Sequence, residues 1–259
     1  MSSSLGTQIA TLARRSIVRT MRQPASAIPP LVFPLVLLAV NTSGLDAATR
    51  IPGFPTDSYL DFALAFAFLQ GAMFSTMNAG TDLARDIQTG FLNRLSLTPM
   101  RGAALIAGHL GGVLALALVQ AVAYLAVGLI AGASVQAGVL GALVIFALFF
   151  LIALGFGALG AFMALRTGSG EAVQGLFPLM FVLLFLSSMS LPRNLIEIGW
   201  FRTVATINPV SYLVEGVRSL IIEGWNGEAL GLAFAIALGL VALGVSAASL
   251  ALRTRLVRT

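Results

Sequence analysis

Apolar runs dominate the chain, and the polar positions between them fall into a few short clusters. Uncharged stretches cover Gln23–Leu45, Phe62–Thr81, Gly102–Leu165, Ala172–Pro192 and Ala229–Leu252. About 20 apolar residues cross the hydrocarbon core of a bilayer as one helix. The stretch Gly102–Leu165 is long enough for two, divided by the small and polar run Gly132–Gly138. Six spans are therefore predicted, at roughly 27–46, 60–81, 103–132, 139–165, 172–192 and 229–252. A β-barrel would instead show short segments of alternating polarity, and these runs are too long and too uniform for that. The expected fold is all-α and polytopic.

Two segments outside the spans carry helical periodicity. Over residues 1–25, Leu5, Ile9, Leu12, Ala13, Ser16, Ile17 and Met21 recur at three- and four-residue spacing. Arg14, Arg15, Arg19 and Arg22 fall on the other side, as in an amphipathic helix lying in the membrane interface with its arginines toward anionic headgroups. Pro24 is expected to end this helix, and Pro29, Pro30 and Pro34 to make an irregular entry into the first span. A cleaved signal peptide fits less well, because no small-x-small site directly follows Leu31–Val40. The pair Arg14-Arg15 sits where an interfacial helix wants arginine in any case, which weakens a twin-arginine reading.

The second segment is 193–228, long for a structureless connection. Asn208 followed by Pro209 reads as an N-cap and first helical residue. Val210, Leu213, Val214, Val217, Leu220 and Ile221 then form an apolar face, with Glu215, Arg218 and Glu223 placed elsewhere. Two short helices dipping into the outer leaflet, a re-entrant hairpin before the last span, suit this segment better than a seventh crossing.

Charge sets the orientation. Only 10% of residues are charged, against roughly 25% in soluble domains. All 15 basic residues are arginine. The positive-inside rule counts basic residues near the span ends. Eleven arginines lie in the amino-terminal segment, the 81–101 loop, the turn at Arg166 and the tail, and four lie on the other side. Both termini are expected in the cytoplasm of a bacterial-type inner membrane, and the net charge of +5 reflects phospholipid contact. Nucleic-acid binding is not indicated, since no basic run has interleaved aromatics.

Catalytic chemistry finds no footing. A P-loop needs its lysine to reach the β/γ-phosphates, and there is no lysine. Cysteine is absent, and His109 is the only histidine, which excludes thiolate and zincin-type metal sites. His109 is expected to pack rather than relay protons, and Gly168-Ser169-Gly170 to be a turn. Asp61 and Asp82 bracket the second span, and no carboxylate falls mid-span, where proton- or ion-coupled transporters place one. Gly108/Gly112 and Gly128/Gly132 read as close helix packing between spans.

The polar interruption at 81–101 remains. Phe91, Leu92, Leu95 and Leu97 offer apolar contact, while Arg94 and Arg101 can pair with acidic groups. On these residues alone, a membrane-surface loop and a protein-docking loop are equally supported. The run Arg85-Asp86-Ile87-Gln88-Thr89-Gly90-Phe91-Leu92-Asn93-Arg94-Leu95-Ser96-Leu97-Thr98-Pro99-Met100-Arg101 resembles the inner loop of ABC-2 type transporter permeases. Asn208-Pro209-Val210-Ser211-Tyr212 is similar to their Asn-Pro segment before the last span. The resemblance covers nearly the whole chain and is nearest the daunorubicin-exporter-like permeases, although Gln88 and Asn93 stand where many members carry glutamate.

The resemblance implies a single transmembrane domain over 1–259, with a coupling loop at 82–101 and an extracytoplasmic helical loop at 193–228. A coupling helix of Gly90, Phe91, Leu92, Asn93, Arg94 and Leu95, with Pro99 and Arg101 after it, would dock into a separate ATPase. Two ATPase copies holding ATP and Mg, and a second permease copy or a homologue, would complete an exporter of small amphipathic or lipid-like molecules. This chain itself would hold no cofactor. Alternatives are a secondary transporter or channel, or a membrane scaffold that docks through the same loop.

Overall fold

A computed structural model describes residues 4–96 and 102–258. Every regular element among them is helical. Helix α1 (Leu5–Met21) begins at Ser4, whose hydroxyl accepts from the Thr7 amide. It is followed by α2 (Pro24–Leu45), α3 (Tyr59–Gln88), α4 (Phe91–Ser96), α5 (Gly102–Ile130) and α6 (Gly138–Thr167). Then come α7 (Gly170–Gln174), α8 (Leu176–Phe185), α9 (Gly199–Ile207), α10 (Pro209–Ile222) and α11 (Gly227–Arg258).

Five helical segments are long and apolar enough to cross a membrane: Pro24–Arg50, Tyr59–Gln88, Gly102–Ile130, Gly138–Thr167 and Gly227–Arg255. The stretch 172–192 differs from expectation. It forms the shorter apolar segment Gly170–Phe185, broken at Gly175, and then leaves the helix. At 1.5 Å per residue that segment is about 24 Å long, short of the roughly 30 Å hydrocarbon core. Ser187, Ser188, Ser190 and Pro192 follow it. They are uncharged, so they pass as span by composition, but hydroxyls and proline favour turns over helix.

Helix α3 is the axis of the fold. Most of its apolar window is buried (83%), against 17% for α2 and 22% for α11. It packs against α2, α5, α6 and α10. Its contact with α6 is backbone to backbone, for a Cβ at Gly160 would overlap the Thr76 carbonyl. Small residues allow this approach where lipid supplies no hydrophobic drive between helices.

The prolines near the amino terminus do not make an irregular entry. Pro29, Pro30 and Pro34 lie within α2, which starts at Pro24. Pro34 has no N–H for the Pro30 carbonyl. That carbonyl instead accepts from the Tyr124 hydroxyl and from Gln120 Nε2 at 3.2 Å, both on α5. The broken helical bond is thus repaired by a neighbour, which is how prolines survive inside membrane helices.

The bundle has two distinct ends. At one, α1 lies beside the end of α3 and the start of α5, and Arg255 Nη1 donates to the Leu165 carbonyl at 2.9 Å. At the other, the Ser134 amide donates to Asp61, and the amides of Gln136 and Ala137 donate to the carbonyls of Ile221 and Leu220.

Candidate functional site

The charged run expected as a loop from Asp82 is helical to Gln88, because Leu83 and Ile87 are buried one turn apart and carry α3 onward. The same spacing sets Asp82 and Asp86 one turn apart. Gly90 then adopts φ +68°, a left-handed conformation that suits glycine, and α4 starts directly after it.

Helix α1 does not spend all its arginines on headgroups. Arg15 donates to both Asp86 oxygens, Nη1 to Oδ2 at 2.9 Å and Nη2 to Oδ1 at 2.8 Å. Arg19 Nη1 reaches the same Oδ1 at 2.8 Å, and its Nη2 lies 3.2 Å from Asp82 Oδ2. Two i,i+4 pairs of opposite charge therefore face each other across the helices. The Asp86 side chain is only 9% exposed, so this cluster is worth more than a surface pair. The hydrogen bond from Arg15 to Asp86 holds the Arg15 guanidinium above its usual value, against the opposing effect of burial. Arg14 and Arg22 are exposed.

Of the glycines read as span-to-span packing, Gly128 does meet Leu64 of α3, whereas Gly108 and Gly112 receive α1 instead. A Cβ at Gly108 would overlap Leu12, and one at Gly112 would overlap Ser16 Oγ. Ser16 Oγ donates to the His109 carbonyl at 2.9 Å. The His109 ring is buried and its Nε2 donates to the Ala79 carbonyl at 2.8 Å, a packing role.

Helix α4 sits on this platform. The Arg15 guanidinium lies 3.7 Å from the centre of the Phe91 ring, so one arginine clamps Asp86 and Phe91 together. Leu92 corrects the expectation of a docking contact: it is 2% exposed and anchors α4 to the bundle. Phe91 and Leu95 are half-buried and Arg94 is exposed. Asn93 lies within α4, while Pro99 and Arg101 lie outside the described residues. The surface that α4 presents therefore centres on Phe91, Arg94 and Leu95, flanked by exposed Arg85.

At the opposite end, Asn208 caps α10 by accepting from the Val210 amide at 2.9 Å, with Pro209 as first residue. Its Nδ2 donates to the Leu183 carbonyl at 2.6 Å, tying α10 to α8. Arg218 is not placed away from the apolar face but buried within it, 6% exposed. Its spacing of four from Val214 and three from Ile221 puts it there, a pattern legible in the sequence. Nε donates to the Phe62 carbonyl at 3.1 Å, Nη1 to Ser188 at 3.0 Å and Nη2 to Met189 at 2.9 Å. The guanidinium also lies 3.5 Å from the centre of the Phe62 ring. It supplies donors to backbone that the interrupted helix after α8 leaves open. Burial pulls this guanidinium below its usual value, with Glu215 and Tyr59 acting the other way.

Glu215 accepts from Ser188 Oγ at 2.7 Å and pairs with Arg193 Nη2 at 2.5 Å. Arg193 stacks at 4.5 Å over Tyr212, whose hydroxyl donates to the Thr206 carbonyl at 2.8 Å. Burial opposes the Arg193 charge, but Glu215 outweighs it and holds the guanidinium above its usual value.

Among the described residues no group of three or more His, Cys, Asp or Glu side chains could hold a metal. A family profile described as ABC-2 type transporter matches residues 7–222. The chain belongs to the ABC-2 type transporter family. It is 27% identical to the daunorubicin resistance ABC transporter permease protein of Streptomyces coeruleorubidus, over 88% of this chain and 80% of that one. It is also similar to proteins carrying the transport-permease name ycf38. That of Porphyra purpurea is 25% identical over 96% of this chain and 90% of its own length. That of Pyropia yezoensis is 28% identical over 87% and 78%.

Proposed function

We propose that this ABC-2 permease is the membrane-spanning half of an ATP-driven exporter. It works with a second permease copy or a homologue, and with two copies of a separate ATP-binding-cassette ATPase that hold ATP and Mg. The observation that carries the reading is α4: a six-residue helix with its root buried through Leu92, its flank clamped by Arg15, and Arg94 exposed. A membrane-surface loop needs no such rigid mounting.

In this reading the arginine-rich end faces the cytoplasm of a bacterial-type inner membrane, as the positive-inside rule requires. The broken segment 170–192 makes the fifth of six crossings, and α9 with α10 forms a hairpin in the outer leaflet. ATP-driven closure of the ATPases displaces α4, and the Arg15–Asp86 clamp carries that displacement to α1 and α3. The permease pair then shifts between inward- and outward-open populations. Apolar spans with few fixed charges suit an amphipathic, drug-like or lipid-like substrate.

The test is purification of the intact complex from its native membrane. An ABC ATPase is expected to co-purify and to hydrolyse ATP, with Arg94→Ala weakening the association about tenfold. Substrate movement by the purified chain with no ATPase present would sink the reading in favour of a secondary transporter or channel.

A further inference from the structure

Away from the arginine-rich end, a cavity of about 480 Å³ opens between the start of α3, α10 and α11. Ligand pockets begin at about 300 Å³. The charges that line it are layered. On its floor is Arg218, buried and bonded to the Phe62 carbonyl one turn inside α3. Three of its five N–H hydrogens are placed on carbonyls, and two remain. Beside it, Arg193 pairs with Glu215. Two guanidiniums thus line the inner layer with one carboxylate, and that layer is net positive.

The mouth has the opposite sign. Glu223 and Glu228 line it from the connection between α10 and α11, at the extremity of the bundle. Both are exposed, and neither forms an ion pair with a described residue. Glu223 accepts only from Asn226 Nδ2, at 2.9 Å. Ile222 and Leu232 give the wall an apolar side.

We propose that this cavity binds the headgroup of a zwitterionic phospholipid, its phosphate toward Arg218 and Arg193 and its ammonium toward Glu223 and Glu228. The order of charges is that of a headgroup standing on its acyl chains, with phosphate nearer the hydrocarbon and amine nearer the water. An anionic lipid without an amine meets two uncompensated carboxylates at the mouth. A simple organic cation meets the net positive floor. The site stands on its own geometry and does not require the chain to be an exporter.

The test uses the full chain in detergent, exposed to phosphatidylethanolamine or phosphatidylglycerol and read by native mass spectrometry. The wild type is expected to retain about fivefold more phosphatidylethanolamine, the factor that a favourable pair at a partly exposed site supplies. The double variant Glu223→Gln with Glu228→Gln is expected to abolish that preference. Both side chains are exposed, so unfolding is not at issue, and an unchanged thermal transition followed by Trp200 and Trp225 emission verifies this. Equal retention of the two lipids by the wild type, or an undiminished preference in the double variant, overturns the proposal. Soluble glycerophosphoethanolamine is run in parallel. Its retention without that of the lipid would assign the site to a free zwitterion and equally overturn the lipid.

Discussion

The two ends of the bundle each hold a partly or fully buried arginine cluster, and they solve the problem of burial differently. At one end Arg15 and Arg19 meet the carboxylates of Asp82 and Asp86, on two helices far apart in sequence. At the other, Arg218 meets three backbone carbonyls. Carboxylate pairs at the rim of a bundle are screened by salt and can part and re-form. A guanidinium sunk among carbonyls fixes the backbone around it, and its loss leaves buried acceptors without a donor. The first arrangement suits a joint and the second a rivet.

The largest expected effect is at the rivet. Arg218→Met keeps the apolar stem of the side chain but leaves the Ser188 and Met189 carbonyls without their donor. A loss of about 4 kcal/mol is expected, summed over carbonyls that cost about 1–3 kcal/mol each when buried unpaired. The readout is the thermal transition of the detergent-solubilised chain by tryptophan emission, and Arg218→Lys should recover only part of the loss.

The joint should yield less. Asp86→Asn removes the shared partner of Arg15 and Arg19 and is expected to cost about 2 kcal/mol, the scale of hydrogen bonds to charged groups. The wild-type stability that depends on this pair should fall with added salt, while the Arg218 contribution should not. Equal salt sensitivity at the two ends would erase the distinction between them.

A smaller effect is expected where α1 rests on α5. Gly112→Val places a branched side chain against Ser16 and should lift α1 without unfolding the bundle, at about 1 kcal/mol, the low end for an overpacked contact. Trypsin should then cut sooner at Arg14, Arg15 and Arg19. Smallest of all is Arg94→Ala, which is exposed and should leave the thermal transition within about 0.5 kcal/mol of wild type while lowering ATP hydrolysis by the complex.

The long spans were legible because uncharged runs of 20 or more residues have few other outcomes. Residues 172–192 were not, since Ser187, Ser188 and Ser190 lower neither the charge count nor much of the hydropathy, yet they stop the helix where Arg218 waits from another element. The partners of Arg15 and Arg19 lay within reach of the sequence: Asp82/Asp86 repeats their i,i+4 spacing with opposite sign. What was missing was the knowledge that α1 lies against α5, which Gly108 and Gly112 permit but do not announce. Leu92 shows the same limit. Its type says apolar contact, and only the turn at Gly90 decides that the contact is inward.

The most direct test of docking through α4 is photo-crosslinking from the two ends in the native membrane. Benzoylphenylalanine replaces Arg94 in one variant and Trp225, exposed at the far end, in the other. Docking through α4 predicts a crosslink to an ABC ATPase from position 94 and none from position 225. Failure of position 94 to capture an ATPase, or capture with equal yield from both positions, would contradict it.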